Sequence, residues 1–233
     1  MSNIQFETKM KRIVILSASP KVDQSSAVSA FLAKRGETLI ADEQTEVQVI
    51  PVRQALLHHE TAQAFAAMAS AHAIIVIFPL YFFCMPAMLT RFLQDYSSVN
   101  PQPSVRATVY AVVNCGFPEP EINREAIGVI ECFARRAGFA FGGGVMLGGG
   151  GMLFAAQDAP FMKPVFDAID RLFLQAKADL PIGGADKPEI VSVAAKFPRA
   201  LYFLGGNAGW KSTARKNKLH IKDLYRKPYE KTN

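Results

Sequence analysis

The sequence predicts an α/β domain built on a doubly wound parallel sheet of five strands in the order 2-1-3-4-5. Short apolar runs alternate with helical patterns along the chain, as in βαβ units. The run AIIVIF at 73–78 is apolar at every position, which is typical of a strand buried on both faces. Half of the 233 residues are hydrophobic, which is enough for a large core. Because crossovers between parallel strands are right-handed, few other topologies remain.

Five strands and five helices are expected in alternation. The strands are predicted at Arg12–Ser17, Glu46–Pro51, Ala73–Phe78, Ala107–Asn114 and, interrupted by glycine, around Phe139–Leu147. The helices are predicted at Ser25–Ile40, Thr61–Ala71, Pro86–Tyr96, Glu121–Ala137 and Met162–Ala178. In such a sheet the ligand site is expected at the carboxyl ends of the strands, where the connections after strands 1 and 3 diverge.

The number and spacing of the cysteines indicate the redox compartment of the protein and disfavour some cofactors. Cys84, Cys115 and Cys132 stand far apart, an odd set that fits reduced thiols in the cytoplasm better than a disulfide framework. Because no CxxC pair occurs, a thiolate-bound iron–sulfur cluster or zinc is disfavoured, and no metal site is expected.

The uncharged stretch 73–89 has nearly the length of a membrane span. Two prolines interrupt it, so a buried strand, an aromatic loop and a helix start are predicted instead.

Positive charge is concentrated near the C-terminus. Residues 187–233 hold eleven Lys and Arg against three Asp and Glu, a formal net charge of +8, whereas residues 1–186 have a formal net charge of −2. We therefore expect a ligand-binding domain over 1–185 and a basic C-terminal extension over 186–233. A basic extension suits nucleic acid or an anionic membrane. No nucleic-acid-binding motif accompanies it, and a solvated tail with neither partner is preferred.

The first predicted strand leads into a hydroxyl-rich loop that opens the first helix, with the sequence RIVILSASPKVDQSSA at 12–27. Free N–H groups and the dipole at a helix N-terminus form a site for an anion. Hydroxyls and one ammonium group would add hydrogen bonds and charge, from Ser17, Ser19, Lys21, Ser25 and Ser26. Neither GxGxxG nor a P-loop is present, so a phosphate held without a glycine cradle is predicted. The alternative is that the serines only cap the helix.

Aromatic residues follow the third and fourth strands, where loops usually carry polar side chains. The loops read PLYFFCMP at 79–86 and NCGFP at 114–118. Aromatic side chains beside a phosphate site predict a flat ring with a phosphate tail as the ligand. The alternative is that Tyr81, Phe82 and Phe83 simply cover the core. Gly116, and the glycine run at 148–151, would permit close backbone approach or a positive φ.

These loops resemble those of the flavodoxin-like NAD(P)H-dependent FMN reductases, the group that also contains the iron–sulfur flavoproteins. Members typically follow the first strand with G-S-P-R-x-x-G-N-[ST], and this chain has ASPKVDQSS at 18–26. Their third strand leads to P-[VL]-Y-F-G-S-M-P-A-x-L-K, and this chain has PLYFFCMPAMLT at 79–90, the most specific of the matches. NCGFPE at 114–119 is similar to a third flavin-contacting loop of some members. The resemblance covers about residues 11–180.

The resemblance implies a flavodoxin-like fold with FMN as cofactor and NAD(P)H as co-substrate. It places the FMN phosphate in the first loop, and the ribityl chain and ring against the other two. The cofactor-binding residues predicted in this way are Ser17, Ser19, Pro20, Lys21, Ser25, Ser26, Pro79, Leu80, Tyr81, Phe82, Phe83, Asn114, Cys115 and Gly116. No catalytic side chain is predicted, because the flavin carries the chemistry.

Several positions depart from the family pattern. Ala18, Gln24 and Phe83 stand where relatives have glycine, and Lys21 in place of Arg loses bidentate phosphate geometry. Phe83 and Cys84 replace a small Gly-Ser pair, which would narrow the substrate side of the pocket. The cluster-binding cysteine motif of the iron–sulfur flavoproteins is absent, so that activity does not transfer.

The function implied is an FMN-dependent oxidoreductase that passes hydride from NAD(P)H to a quinone, a nitro- or azo-aromatic, or another flavin. A homodimer acting on a small-molecule acceptor is expected, without nucleic acid or membrane. One alternative is a non-catalytic electron carrier or redox-responsive flavoprotein, although such carriers tend to be acidic and this chain has an isoelectric point near 9.3. Another is a drifted flavin domain whose basic tail binds nucleic acid or membrane.

Overall fold

The computed structural model describes residues 10–99, 101, 105–154, 156–182, 188–227 and 229. In this part of the chain, six parallel strands form one sheet in the order β2-β1-β3-β4-β5-β6. The strands are β1 (Lys11–Ser17), β2 (Thr45–Pro51), β3 (Ala73–Pro79), β4 (Thr108–Asn114), β5 (Ala140–Gly148) and β6 (Ile190–Ala194). The α-helices are α1 (Val28–Ile40), α2 (Val52–Leu57), α3 (Thr61–Ser70), α4 (Ala87–Val99), α5 (Arg124–Arg136), α6 (Lys163–Ala178) and α7 (Arg199–Lys216).

The predicted α/β class is confirmed, and the first five strands have the predicted order. The structure adds β6, which pairs with β5 at the edge of the sheet. This strand was missed because it has only five residues, is half-buried, and lies in a segment whose charge predicted an extension. The short helix α2 and the helix α7 were also missed. The uncharged stretch 73–89 is a buried strand, a loop and a helix start, as predicted.

Two apolar cores lie on opposite faces of the sheet, because side chains alternate along each strand. On β1, Ile13 and Ile15 are buried among side chains of α1 and α6. Val14 and Leu16 are buried with side chains of α2, α3, α4 and α5 on the other face. The central strands are therefore apolar on both faces, as a parallel sheet covered by helices requires.

Helices α1 and α6 approach closely at Gly36. A Cβ added at this glycine would lie 2.3 Å from Cε1 of Phe173, a ring that is fully buried. The same helices are joined by a bidentate ion pair, in which Arg35 donates from two nitrogens to the Asp170 carboxylate at 2.6 Å each. The Arg35 guanidinium also lies 4.7 Å from the centroid of the Phe166 ring. These contacts fix α1, and with it the loop that precedes α1.

Replacing Gly36 with Ala is therefore expected to lower the free energy of unfolding by about 1–2 kcal/mol, since overpacking outweighs the gain in helix propensity. The matched control is Gly128→Ala in α5, where a Cβ would meet nothing within 4 Å. That change should stabilise the protein by up to about 1 kcal/mol. Denaturant unfolding of both variants measures the difference. Equal shifts in the same direction would contradict the close approach of α1 and α6 at Gly36.

The chain divides into two units, Met1–Ala195 and Lys196–Asn233. β6 belongs to the first unit, which therefore extends beyond residue 185. The second unit contains α7 and a 3-10 turn at Ile221–Tyr225, where the backbone N–H of His220 donates to Asp223 at 2.8 Å. Among the described residues, no helix has both the length and the hydropathy of a membrane span.

Candidate functional site

Three loops leave the carboxyl edge of the sheet side by side. Loop A (residues 18–27) follows β1, loop B (80–86) follows β3, and loop C (115–119) follows β4. β3 pairs with both β1 and β4, so the three strand ends are adjacent. Backbone hydrogen bonds continue past the strands, from Ala18 N to Ile77 O at 2.9 Å and from Leu80 N to Asn114 O at 2.7 Å. The structure thus brings the predicted loops together at the predicted edge.

Loop A is tied by its own hydrogen bonds. The backbone N–H of Lys21 donates to Ser19 Oγ at 3.2 Å, and Lys21 Nζ donates to the carbonyl of Ser26 at 2.7 Å. Ser19 is buried and Lys21 is exposed, with Pro20 half-buried between them. The loop therefore holds the ammonium of Lys21 close to the start of α1 without an ion pair to that ammonium among the described salt bridges.

Ser25 and Ser26 do not lie in the first turn of α1, as the predicted helix start at Ser25 would require. They lie in a 3-10 turn, Gln24–Ser26, and α1 begins at Val28 after an extended Ala27. The physical reason is Asp23, whose Oδ1 accepts from Ser25 N at 3.0 Å and from Ser25 Oγ at 2.6 Å. These two hydrogen bonds lower the pKa of the Asp23 carboxyl, with a further contribution from Ser26 and Lys21. A separate capped turn therefore precedes the helix.

The N-terminus of α1 has no side-chain cap, because its N-cap residue is Ala27. The alternative in which the serines cap this helix is therefore wrong. Two buried hydroxyls near it, Ser17 Oγ at the end of β1 and Ser29 Oγ in the first turn of α1, have no hydrogen-bond partner within the described protein. Buried polar atoms without partners call for an explanation. A polar, anionic ligand tail at the helix end would satisfy such groups, so loop A fits a phosphate.

Loop B is a tight hairpin with two strained phenylalanines. Tyr81 and Cys84 exchange both backbone hydrogen bonds, at 2.8 and 2.9 Å, across a two-residue turn. The turn residues have positive φ, +46° at Phe82 and +61° at Phe83. This is the pattern of a type I′ turn, which favours Asn and Gly. A bulky residue in this conformation is uncommon and costs roughly 1–2 kcal/mol, and such strain is concentrated at functional sites.

The rings of loop B do not cover the core. Phe82 is 98% exposed and Phe83 62%, and Tyr81 is 44% exposed. The alternative in which these side chains shield apolar residues beneath them is therefore wrong for both phenylalanines. The exposed rings of this strained turn form an apolar surface at the carboxyl edge of the sheet.

A cavity of about 630 Å³ lies along one side of this surface, within the usual range for small-ligand sites. Its lining includes Pro20 of loop A, Tyr81, Phe82 and Cys84 of loop B, and residues at the start of α4. Loops A and B thus border one cavity.

Loop C is held by two buried amides. Asn114 is 5% exposed, and its Nδ2 donates to the carbonyl of Phe78 at 3.2 Å, which fixes the ends of β3 and β4. Asn123 is fully buried and donates from Nδ2 to Pro120 O at 3.0 Å and Leu147 O at 3.3 Å. These amides position loops B and C.

The Cys115 thiol faces the protein. Its Sγ lies 3.4 Å from the carbonyl of Phe117 and 3.5 Å from that of Leu147. Its N–H donates to Leu147 O, and its carbonyl accepts from Gly150 N. Burial raises the pKa of the thiol, so the thiolate is disfavoured at neutral pH. At Cys115, therefore, a ligand can contact the backbone and not the thiol.

The glycine of loop C and those of the run at 148–151 differ in whether the protein backbone requires glycine. Gly116 does not have a positive φ, and a Cβ there would meet nothing within 4 Å. Neither predicted reason for glycine therefore applies to it within the protein. In the glycine run at 148–151, which begins at the last residue of β5, Gly149 has φ +69°, and a Cβ on Gly148 would lie 2.3 Å from Pro118 O. That run packs directly against loop C.

Pro79 ends β3, and Leu80 packs against the core on the side of α2–α5. Across the described residues, no three His, Cys, Asp or Glu side chains are grouped as metal ligands. Sequence reasoning missed Asp23, Ser29 and Asn123. Only Asp23 had a signal, because Asp ahead of a Ser-Ser pair is a common cap.

A family model described as NADPH-dependent FMN reductase matches residues 11–119, which include all three loops. The match spans just under half of the chain. The chain is accordingly an oxidoreductase with FMN as its cofactor and NAD(P)H as its co-substrate, as the resemblance implied. No curated protein matches it significantly.

Solved structures agree on the fold of this chain. An apo NADH:FMN oxidoreductase named EMOB has 18% identity and a TM-score of 0.54, with 77% of this chain and 92% of that one covered. A protein described as an NADPH-quinone reductase from P. pentosaceus has 15% identity and a TM-score of 0.51, with 75% and 100% covered. RosB with a bound formylated riboflavin phosphate has 11% identity and a TM-score of 0.58, with 72% and 78% covered.

Proposed function

We propose that this FMN reductase binds FMN across loops A, B and C and reduces a small aromatic acceptor, namely a quinone, a nitro- or azo-aromatic, or a second flavin. The observation that carries the proposal is the strained, exposed aromatic turn at Phe82 and Phe83. It lies at the carboxyl edge of the sheet, where ligands of doubly wound folds bind. Its neighbour, loop A, offers an uncapped helix end to a phosphate.

Each loop has a separate task in this proposal. Loop A binds the phosphate through the N-terminus of α1 and the ammonium of Lys21. Loop B lays Tyr81, Phe82 and Phe83 against the ring and excludes water from one side of it. Asn114 positions loop B by bonding the ends of β3 and β4. When bound, FMN supplies a centre that takes hydride from NAD(P)H and passes the electrons to the acceptor.

The acceptor classes are proposed because the site is open to solvent. The described rings of loop B are exposed, so a planar acceptor or nicotinamide can reach a ring lying against them. The names of two similar structures, an NADH:FMN oxidoreductase and an NADPH-quinone reductase, support the same chemistry.

We also propose a homodimer, because a flavin resting on exposed aromatics needs a second surface to exclude water. A cytoplasmic location is proposed from three free cysteines, of which Cys132 is exposed.

The test is spectroscopic and kinetic. Protein purified with FMN should show the absorbance of oxidised flavin and should oxidise NAD(P)H with steady-state turnover when a quinone, dye or flavin is supplied. Turnover distinguishes an enzyme from an electron carrier, which would bind FMN but oxidise NAD(P)H only slowly. Colourless protein that binds no added FMN would overturn the proposal. Light scattering tests the dimer, for which the mass should be twice the 25.5 kDa of one chain.

A further inference from the structure

We propose that Asp23 competes with the flavin phosphate for the hydrogen-bond donors of loop A, so that the protein holds FMN loosely and discriminates little between FMN and riboflavin. The inference rests on the proposed function, since it concerns the same flavin site. It specifies the substrate class as a flavin that is recognised mainly by its ring and exchanges with solvent. The phosphate of this flavin contributes little to the free energy of binding.

Three of the five residues whose donors sequence reasoning assigned to a phosphate, namely Lys21, Ser25 and Ser26, already donate within the loop. Asp23 Oδ1 accepts from both the N–H and the hydroxyl of Ser25, at 3.0 and 2.6 Å. The hydroxyl of Ser26 donates to the carbonyl of Asp23 at 3.0 Å. The ammonium of Lys21 donates to the carbonyl of Ser26. A phosphate that takes up the two Ser25 donors must displace the Asp23 carboxylate or lie beside it.

The charge of the loop leads to the same conclusion. Between residues 17 and 27 the formal charges are one Lys and one Asp, so the net charge is zero. A phosphate dianion at the donors of Ser25 would lie near the carboxylate of Asp23, and like charges at that distance repel. Displacing Asp23 instead would break the two hydrogen bonds that cap the 3-10 turn. Either route reduces the binding free energy that the phosphate gains at the N-terminus of α1.

Removing the charge while keeping the cap separates these effects. In Asp23→Asn, the side-chain oxygen still accepts from Ser25 N, so the turn is retained while the negative charge is lost. Glu43→Gln is the matched control for net charge. Glu43 is exposed just before β2, at the amino edge of the sheet, opposite the three loops.

The experiment measures dissociation constants for FMN and for riboflavin by quenching of flavin fluorescence in the wild type and both variants. The wild type should bind the two flavins within about tenfold of each other. Asp23→Asn should tighten FMN by about tenfold or more and leave riboflavin within about twofold, since only FMN carries the phosphate. Glu43→Gln should change neither constant.

Three outcomes would overturn the inference. The first is an FMN-to-riboflavin ratio that stays unchanged in Asp23→Asn. The second is an equal change in Glu43→Gln, which would indicate a general effect of charge. The third is a wild-type protein that already favours FMN by much more than about tenfold. Failure to bind either flavin in any of the three proteins is a different result, because it would overturn the proposed function itself.

Discussion

Replacing Phe82 with Asn and Phe83 with Gly is expected to raise the free energy of unfolding by about 1–3 kcal/mol. Both positions have positive φ, which Asn and Gly adopt far more readily than phenylalanine. Because Gly also raises the entropy of the unfolded chain, the gain is smaller than the summed relief of strain. The melting temperature should rise by roughly 2–4 °C per kcal/mol for a domain of this size.

The same double variant should bind FMN about tenfold more weakly or worse, because two exposed rings that would lie against the flavin are lost. The control replaces both residues with Ala, which removes the rings and keeps a Cβ at each strained position. It should lose flavin affinity to the same extent without becoming more stable. A control as stable as the Asn-Gly variant would show that the turn is unstrained. Unchanged FMN affinity in both would place the ring elsewhere.

Replacing Asn123 with Ala is expected to lower the free energy of unfolding by about 2–4 kcal/mol, which is among the larger effects of single substitutions. Its side chain is fully buried and its amide donates to Pro120 O and Leu147 O, with Cys115 Sγ a further 3.5 Å contact. The variant leaves those acceptors with fewer donors and opens a cavity at the end of β5. Denaturant unfolding of the apo protein measures the loss.

Gln63→Ala is the control for Asn123, since it also removes a side-chain amide, on the exposed face of α3. Its effect should stay within about 0.5 kcal/mol. FMN affinity gives the second measurement, because loop C depends on Asn123 and should shift when that amide is removed. A stable Asn123→Ala variant would show that loop C is held by its backbone alone. A destabilised variant with full FMN affinity would separate loop C from the flavin site.

The sheet was predictable because its signals are strong and local. The apolar runs of β1 and β3 lie close to their observed bounds, and parallel topology follows from alternation with helices. β6 was not predictable in the same way. Its five half-buried residues have no distinctive period, and their place is set by pairing with β5. Edge strands depend on their neighbour more than on their own sequence.

The candidate site was predictable at the level of loops and less so at the level of atoms. The three loops meet because parallel strands end at one edge, which requires no side-chain detail. The hydrogen bonds of Asp23 and the conformation of Phe82 and Phe83 arise from local competition among backbone groups and side chains. The fully buried Asn123 had no sequence signal at all, because its partners come from distant segments.

The packing of the glycine run against loop C determines where this protein can be engineered. A side chain at Gly148 would collide with the carbonyl of Pro118, and one at Gly150 would crowd Asn114 and Cys115. Libraries that seek new electron acceptors by diversifying Gly148 or Gly150 would therefore contain many destabilised members. Loop B has the opposite character, since Phe82 and Phe83 are exposed and touch little of the core. Variation of that turn can reshape the pocket at little cost to the scaffold.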